Sequence, residues 1–168
     1  MHKRAGWLVL VVMLIAACGE PAVDVDIPDR GEGQRLFDEP GVVDEAAVAD
    51  ALDQASADSG LDVVGMVFED DHINAGQADR GGRELLDAWD ADVVLVAVAA
   101  PGDFDSADDE RERFFGVYAS DRFEIPRSLR EEIIDEYMTP YAQDNAWTEG
   151  FVTSADALRD GVEESGDS

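Results

Sequence analysis

The sequence predicts an α/β domain, a three-layer α/β/α sandwich around a small mixed sheet, and three observations carry that expectation. The run Val93-Val94-Leu95-Val96-Ala97-Val98-Ala99 is apolar without alternation, as in a strand covered on both faces. A second apolar, β-branched run, Leu61 to Phe68, precedes it with a helical pattern between the two. Strand, helix, strand of that length implies a parallel pair joined by a crossover. Finally, Pro101-Gly102 turns the chain toward Arg113–Tyr118, a third strand expected to return antiparallel as a hairpin partner.

The flanking elements follow in order. Asp44 is a good N-cap for a helix reaching about Asp58, with Val48, Leu52 and Ala55 on one face and Ser59-Gly60 as its stop. Val43 and Val48 are spaced as a hydrophobic staple across that cap. Gln77 to Trp89 reads as a second helix with Leu85, Leu86 and Trp89 inward, weakened by Gly81-Gly82. Pro126 suits the first turn of a helix carrying Leu129, Ile133, Ile134 and Tyr137, which Thr139-Pro140 should end. Trp147, Phe151, Ala155 and Leu158 form one stripe of a last helix. The expected order is α-β-α-β-β-α-α, with helices on both faces of the sheet.

The N-terminal end is organised for export. Lys3-Arg4 precede an apolar run from Trp7 to Ile15, which closes on Ala16-Ala17-Cys18. This is the basic, apolar, small-residue layout of a secretory signal, and its core is shorter than the roughly 20 residues a bilayer span needs. Ile15-Ala16-Ala17-Cys18 resembles the bacterial lipobox, in which small residues admit the peptidase and the thiol takes a diacylglyceryl group. Residues 1–17 are therefore expected to be a lipoprotein signal peptide and 18–34 a flexible tether. The globular domain should occupy 35–162, and 163–168 a disordered tail. The expected location is the cell membrane, lipid-anchored through Cys18 and facing the extracytoplasmic side. Cys18 is the only cysteine, so the domain must hold together without a disulfide.

The chain carries 12 basic and 40 acidic residues, a net charge of −28. Removing Lys3 and Arg4 with the leader leaves 10 against 40, a net −30. Such a surface repels nucleic acid and anionic headgroups. It favours cations, basic partners or solubility in salt, and identifies no partner by itself.

Several short motifs in order resemble the TPM domain family of bacterial envelope and thylakoid-lumen proteins. Asp38-Glu39-Pro40-Gly41-Val42-Val43-Asp44 is similar to the family's opening, and Ser59-Gly60-Leu61-Asp62-Val63-Val64 to its first helix–strand junction. Ile133-Ile134, Met138-Thr139-Pro140-Tyr141 and Trp147-Thr148-Glu149-Gly150-Phe151 follow the pattern of its C-terminal half. The similarity runs from about Phe37 to Leu158. It implies a three-layer α/β/α fold and, by analogy with some members, acid phosphatase activity or divalent-metal binding. Two loops depart from the family. Trp89-Asp90-Ala91-Asp92 runs almost directly into Val93 without the family's Asn-Gly, and Ala119 to Glu124 lacks its glycine.

The candidate chemistry is acidic. Asp38 matches the family motif and reads either as a turn cap or as a ligand of a hard cation. Asp70-Asp71-His72 follows the first predicted strand, at the carboxyl end where open α/β sheets bind ligands. Asp38, Asp70, Asp71 and His72 are thus the candidate metal ligands, with Ca²⁺ or Mg²⁺ as the possible ion and no cofactor otherwise indicated. His72 is the only histidine after the leader, so no second imidazole supports a zinc site. Asp103 to Glu110 resembles a calcium loop but has Ala107 at a ligand position and Asp108 where glycine is required. No Gly-x-Ser-x-Gly elbow or phosphate-binding glycine loop is present. The sequence thus favours a noncatalytic envelope binding or assembly module, contacting an envelope protein or cell-wall partner. The alternative is a divalent-metal-dependent acid phosphatase.

Overall fold

The computed structural model describes residues 25–108 and 110–166. The signal segment and Cys18 lie outside the described residues. Four strands form one sheet in the order β1-β2-β3-β4: Leu36–Asp38, Val63–Glu69, Val93–Ala99 and Arg113–Ala119. The first three are mutually parallel, and β4 pairs antiparallel with β3. Every residue of β3 is fully buried, as its unbroken apolar run requires.

The helices are α1 (Glu45–Ser59), α2 (Ala75–Trp89), α3 (Arg127–Glu132), α4 (Thr139–Gln143) and α5 (Trp147–Gly166). They cover both faces. Val48, Leu52, Phe151, Ala155 and Leu158 from α1 and α5 pack on one side of the sheet with Leu95 and Val117. On the other side Ala78, Leu85, Leu86 and Trp89 of α2 meet Met66, Phe68, Val94 and Val96. This is the three-layer α/β/α fold. Among the described residues no helix is long and apolar enough to cross a membrane.

Local signals explain the boundaries. Asp44 caps α1 by accepting from Ala47 N at 3.1 Å, and Gly60 closes it at φ 72°, a conformation that favours glycine. Asn74 starts α2 two residues earlier than expected by accepting from Gln77 N.

Four elements differ from expectation. The sheet has three parallel strands rather than a pair, because the short segment Leu36–Asp38 aligns beside Gly65–Val67. Residues 25–34, assigned to the tether, lie against the domain. Val25 and Ile27 pack on the α2 side, Trp89 Nε1 donates to Pro28 O, and the Arg30 guanidinium donates to both Asp62 carboxylate oxygens. Thr139-Pro140 does not end its helix. Pro140 has no N–H to return to the preceding turn, and the chain widens into a π-helical segment, Ile133–Met138, before α4. Thr139 donates to Ile134 O through both its backbone N and its hydroxyl. Last, α5 continues through Gly166, so the first part of the expected tail is helical.

Gly81-Gly82 also acts differently than helix propensity suggests. A Cβ at Gly81 would stand 2.8 Å from Phe68 Cζ, and one at Gly82 would stand 2.9 Å from Tyr118 Cδ2 and 3.0 Å from Val96 Cγ2. The pair lets α2 approach the sheet at the cost of intrinsic helicity.

Candidate functional site

The carboxyl ends of β1, β2 and β3 open at one end of the sheet, and β4 begins at the same end with Arg113 opposite Ala99. The acids singled out in the sequence lie there, each in a different setting.

Asp38 ends β1. Its Oδ1 accepts from Gly41 N at 2.9 Å and its Oδ2 from Val43 N at 3.0 Å. Both oxygens therefore hold the turn into α1, with Gly41 at φ 69° supplying the left-handed residue that the turn needs. Glu69, the last residue of β2, accepts from Gly102 N at 2.7 Å and anchors the turn after β3. Asp70 accepts from His72 N at 2.7 Å, and its Oδ1 stands 3.8 Å from His72 Nδ1. The Asp70 side chain is 8% exposed and that of His72 68%, so the pair has a buried acid and a solvent-facing imidazole. Asp71 is exposed.

The register separates these groups. Asp38 is level with Val67, three residues short of Asp70, on the order of 10 Å of strand rise. Carboxylates sharing Ca²⁺ or Mg²⁺ must each place an oxygen about 2.0–2.6 Å from it. Among the described residues, no three His, Cys, Asp or Glu side chains gather closely enough to hold a metal ion. Asp70 and His72 come together; Asp38 and Asp71 do not join them in a ligand set.

The acidic hairpin after β3 is held from below. Phe104 is 1% exposed and meets Trp147 edge-on at 5.0 Å, while Trp147 Nε1 donates to Phe104 O. Asp103 Oδ2 accepts from Glu112 N at 2.6 Å. These bonds shape the loop and leave Asp103 a structural acceptor.

Beside this hairpin is a feature that motif reading missed. Arg113 donates to the carbonyls of Asp103, Phe104, Ser106 and Ala142. Arg111 donates to those of Ser106 and Gln143. The Arg113 guanidinium also lies 5.4 Å over the Trp147 ring. Burial, and secondarily the charge of Arg111, hold Arg113 below the usual arginine value. The two arginines edge an apolar groove of about 370 Å³ floored by Phe115, Ile134, Met138 and Trp147. Two basic residues in an acidic chain were the one available signal, and only the fold sets them beside an apolar surface.

The sequence pattern described as the TPM domain matches residues 36–161. The chain belongs to the TPM domain family. Among solved structures, this TPM domain is similar to the N-terminal domain of the cg2496 protein from Corynebacterium glutamicum, determined by solution NMR. The TM-score is 0.55 at 12% identity, covering 84% of this chain and 88% of that one. That likeness is one of fold. No curated protein matches.

Proposed function

We propose that this TPM domain is a noncatalytic binding module, lipid-anchored through Cys18 on the extracytoplasmic side of the cell membrane, that engages an envelope protein or cell-wall partner. The observation that carries the reading is the engagement of the strand-end acids. Asp38 holds two backbone N–H groups, Glu69 one and Asp70 one. A carboxylate serving as a general base or metal ligand needs a lone pair aimed at substrate or ion. Asp38, the acid matching the family's opening motif, has both oxygens turned into its own loop. Phosphoryl transfer further requires preorganised positive charge at the developing anion. The two guanidiniums at this end of the sheet, Arg111 and Arg113, edge the apolar groove, and none of Asp38, Asp70, Asp71 or His72 lines it.

The reading of Cys18 as a lipid anchor rests on Ile15-Ala16-Ala17-Cys18 following an apolar run. A diacylglyceryl group gives the two chains that stable anchoring needs.

The second reading, a divalent-metal-dependent acid phosphatase using Ca²⁺ or Mg²⁺, draws its support from Asp70 and His72. They are paired at the carboxyl end of a parallel strand, where α/β folds commonly place ligands.

The binding-module reading is tested by capture from detergent-solubilised envelopes, with and without Ca²⁺. A partner retained in stoichiometric amount by wild type and by His72→Ala is expected. Retention that requires both Ca²⁺ and His72 would transfer the function to the metal site.

A further inference from the structure

The open edge of the sheet lies beside the arginine-rimmed groove. Among the described residues no strand follows β4 in the sheet order. Glu112 O accepts from Ala100 N, and Ser120 N donates to Asp92 O. The even-numbered residues of β4 therefore bond to β3, and the peptide groups of Arg113, Phe115, Val117 and Ala119 face away from it. The groove opens along the first half of that edge, between Arg113 and Phe115 on one side and Ile134, Met138 and Ala142 on the other.

The charge around the groove is unlike the rest of the surface. The chain has 40 acidic residues, yet among the described residues no Asp or Glu lines this groove. Arg30, Arg83 and Arg122 each pair with a carboxylate. Arg111 and Arg113 pair with none among the described residues; Asp103 and Asp105 act on Arg113 only from a distance. A guanidinium has five N–H donors. Arg113 uses four in the bonds described above, whereas Arg111 uses two, so Arg111 keeps donors for an external acceptor.

The geometry points to a site for the C-terminal end of an apolar partner polypeptide, added to the β4 edge as an antiparallel strand, with its last side chain in the groove and its terminal carboxylate beside Arg111 and Arg113. This rests on the binding-module reading and names its partner class. The direction follows from placement: Arg113 opens β4, so a chain ending there runs against it. The volume sits at the small end of ligand pockets, which begin at about 300 Å³, and suits one anchoring side chain. The net charge of −28 repels a partner rich in acid. One carboxylate on an otherwise apolar strand is what two arginines within an acidic surface select. Backbone pairing would give affinity, and the pocket with its cations specificity.

The test uses the full chain in detergent and fluorescein-labelled tetrapeptides Thr-Val-Thr-X, with X as Val, Leu, Ile or Phe. Each is prepared as the free acid and as the C-terminal amide, and anisotropy is measured. At least one free acid should bind saturably and its amide roughly tenfold more weakly, the loss expected for a charge-assisted hydrogen bond. Arg111→Gln should weaken the acid by a similar factor and leave the amide unchanged. Ala142→Phe, which fills the groove without removing charge, should abolish both, and Arg83→Gln should change neither. Circular dichroism checks that each variant is folded. Equal binding of acid and amide, indifference to both groove variants, or no binding at all would overturn the proposal. So would a concentration-dependent dimer of the wild type that Ala142→Phe abolishes, which assigns the edge to a second copy. A failure here with an envelope partner still captured would refute this site and leave the binding-module reading standing.

Discussion

Asp38 decides between structure and chemistry at the strand ends, and its removal has a calculable effect. Its two oxygens accept from Gly41 N and Val43 N at 2.9 and 3.0 Å. A hydrogen bond to a charged acceptor contributes about 1.5–3 kcal/mol, and caps of this kind about 1 kcal/mol where water can replace the lost acceptor. Gly41 is exposed and Val43 half-buried, which puts both bonds near the lower figure. Asp38→Ala should therefore cost about 2 kcal/mol. Asp38→Asn should cost about 1 kcal/mol, since one oxygen remains while the amide nitrogen faces a donor. For a domain of this size these become melting shifts of about 6–10 °C and 3–5 °C. Thermal melts followed by circular dichroism measure them, with exposed Asp71→Asn as a control expected within about 0.5 kcal/mol of wild type. Melting unchanged in both Asp38 variants, together with a wild-type melting point raised by Ca²⁺ or Mg²⁺ and not raised in the variants, would refute the turn-cap argument. The carboxylate would then be held for an ion.

Three further outcomes follow from the fold. Leu95→Asp places an unpaired carboxylate in a strand with no exposed residue; this costs several kcal/mol, and soluble, folded protein with near-native melting would contradict the assigned sheet. Gly82→Ala gains about 1 kcal/mol of helix propensity but sets a Cβ against Tyr118 and two valines of β3. Overpacking of about 1–3 kcal/mol should leave a net loss, and chemical denaturation showing a gain would mean that α2 moves freely. Burial raises the Tyr118 hydroxyl from 10.0 to about 12. The unfolded chain thus ionises first, so stability is retained below pH 10.0 and lost between there and about 12. Tyr118→Phe should flatten that alkaline loss in denaturant midpoints read against pH, and an unchanged slope would contradict the burial argument.

The sequence made some of this legible and hid the rest for physical reasons. Seven apolar residues in a row have one stable environment, so β3 was readable to the residue. Asp44 acts through its carboxylate on the next turn and Gly60 through its own backbone, and the bounds of α1 follow from them. In contrast, β1 has only three residues and exists because the β2 edge pairs with it, a tertiary effect with no local signature. The same holds for Arg30, whose pairing with Asp62 spans 32 positions and turns an apparent linker into a docked segment. Pro140 suggested a helix end, but the chain continues through the widened turn, where Ile133 and Met138 are buried against the domain. At the candidate site, Asp70 and His72 are close in sequence and meet in space. Asp38 reaches the same end of the sheet through β1, and the strand register keeps it apart. The groove at Arg111 and Arg113 draws on residues from β4 to Trp147, and no local pattern could assemble it.

The most direct test of the noncatalytic reading is a steady-state phosphomonoesterase assay on the purified chain at acidic and neutral pH, with Ca²⁺ or Mg²⁺ supplied. Wild type is run beside Asp38→Asn, Asp71→Asn and His72→Ala. Turnover indistinguishable from the protein-free rate in all four is the expected result. Metal-dependent turnover by wild type, abolished in any one of the three variants, would contradict the account and establish the enzyme.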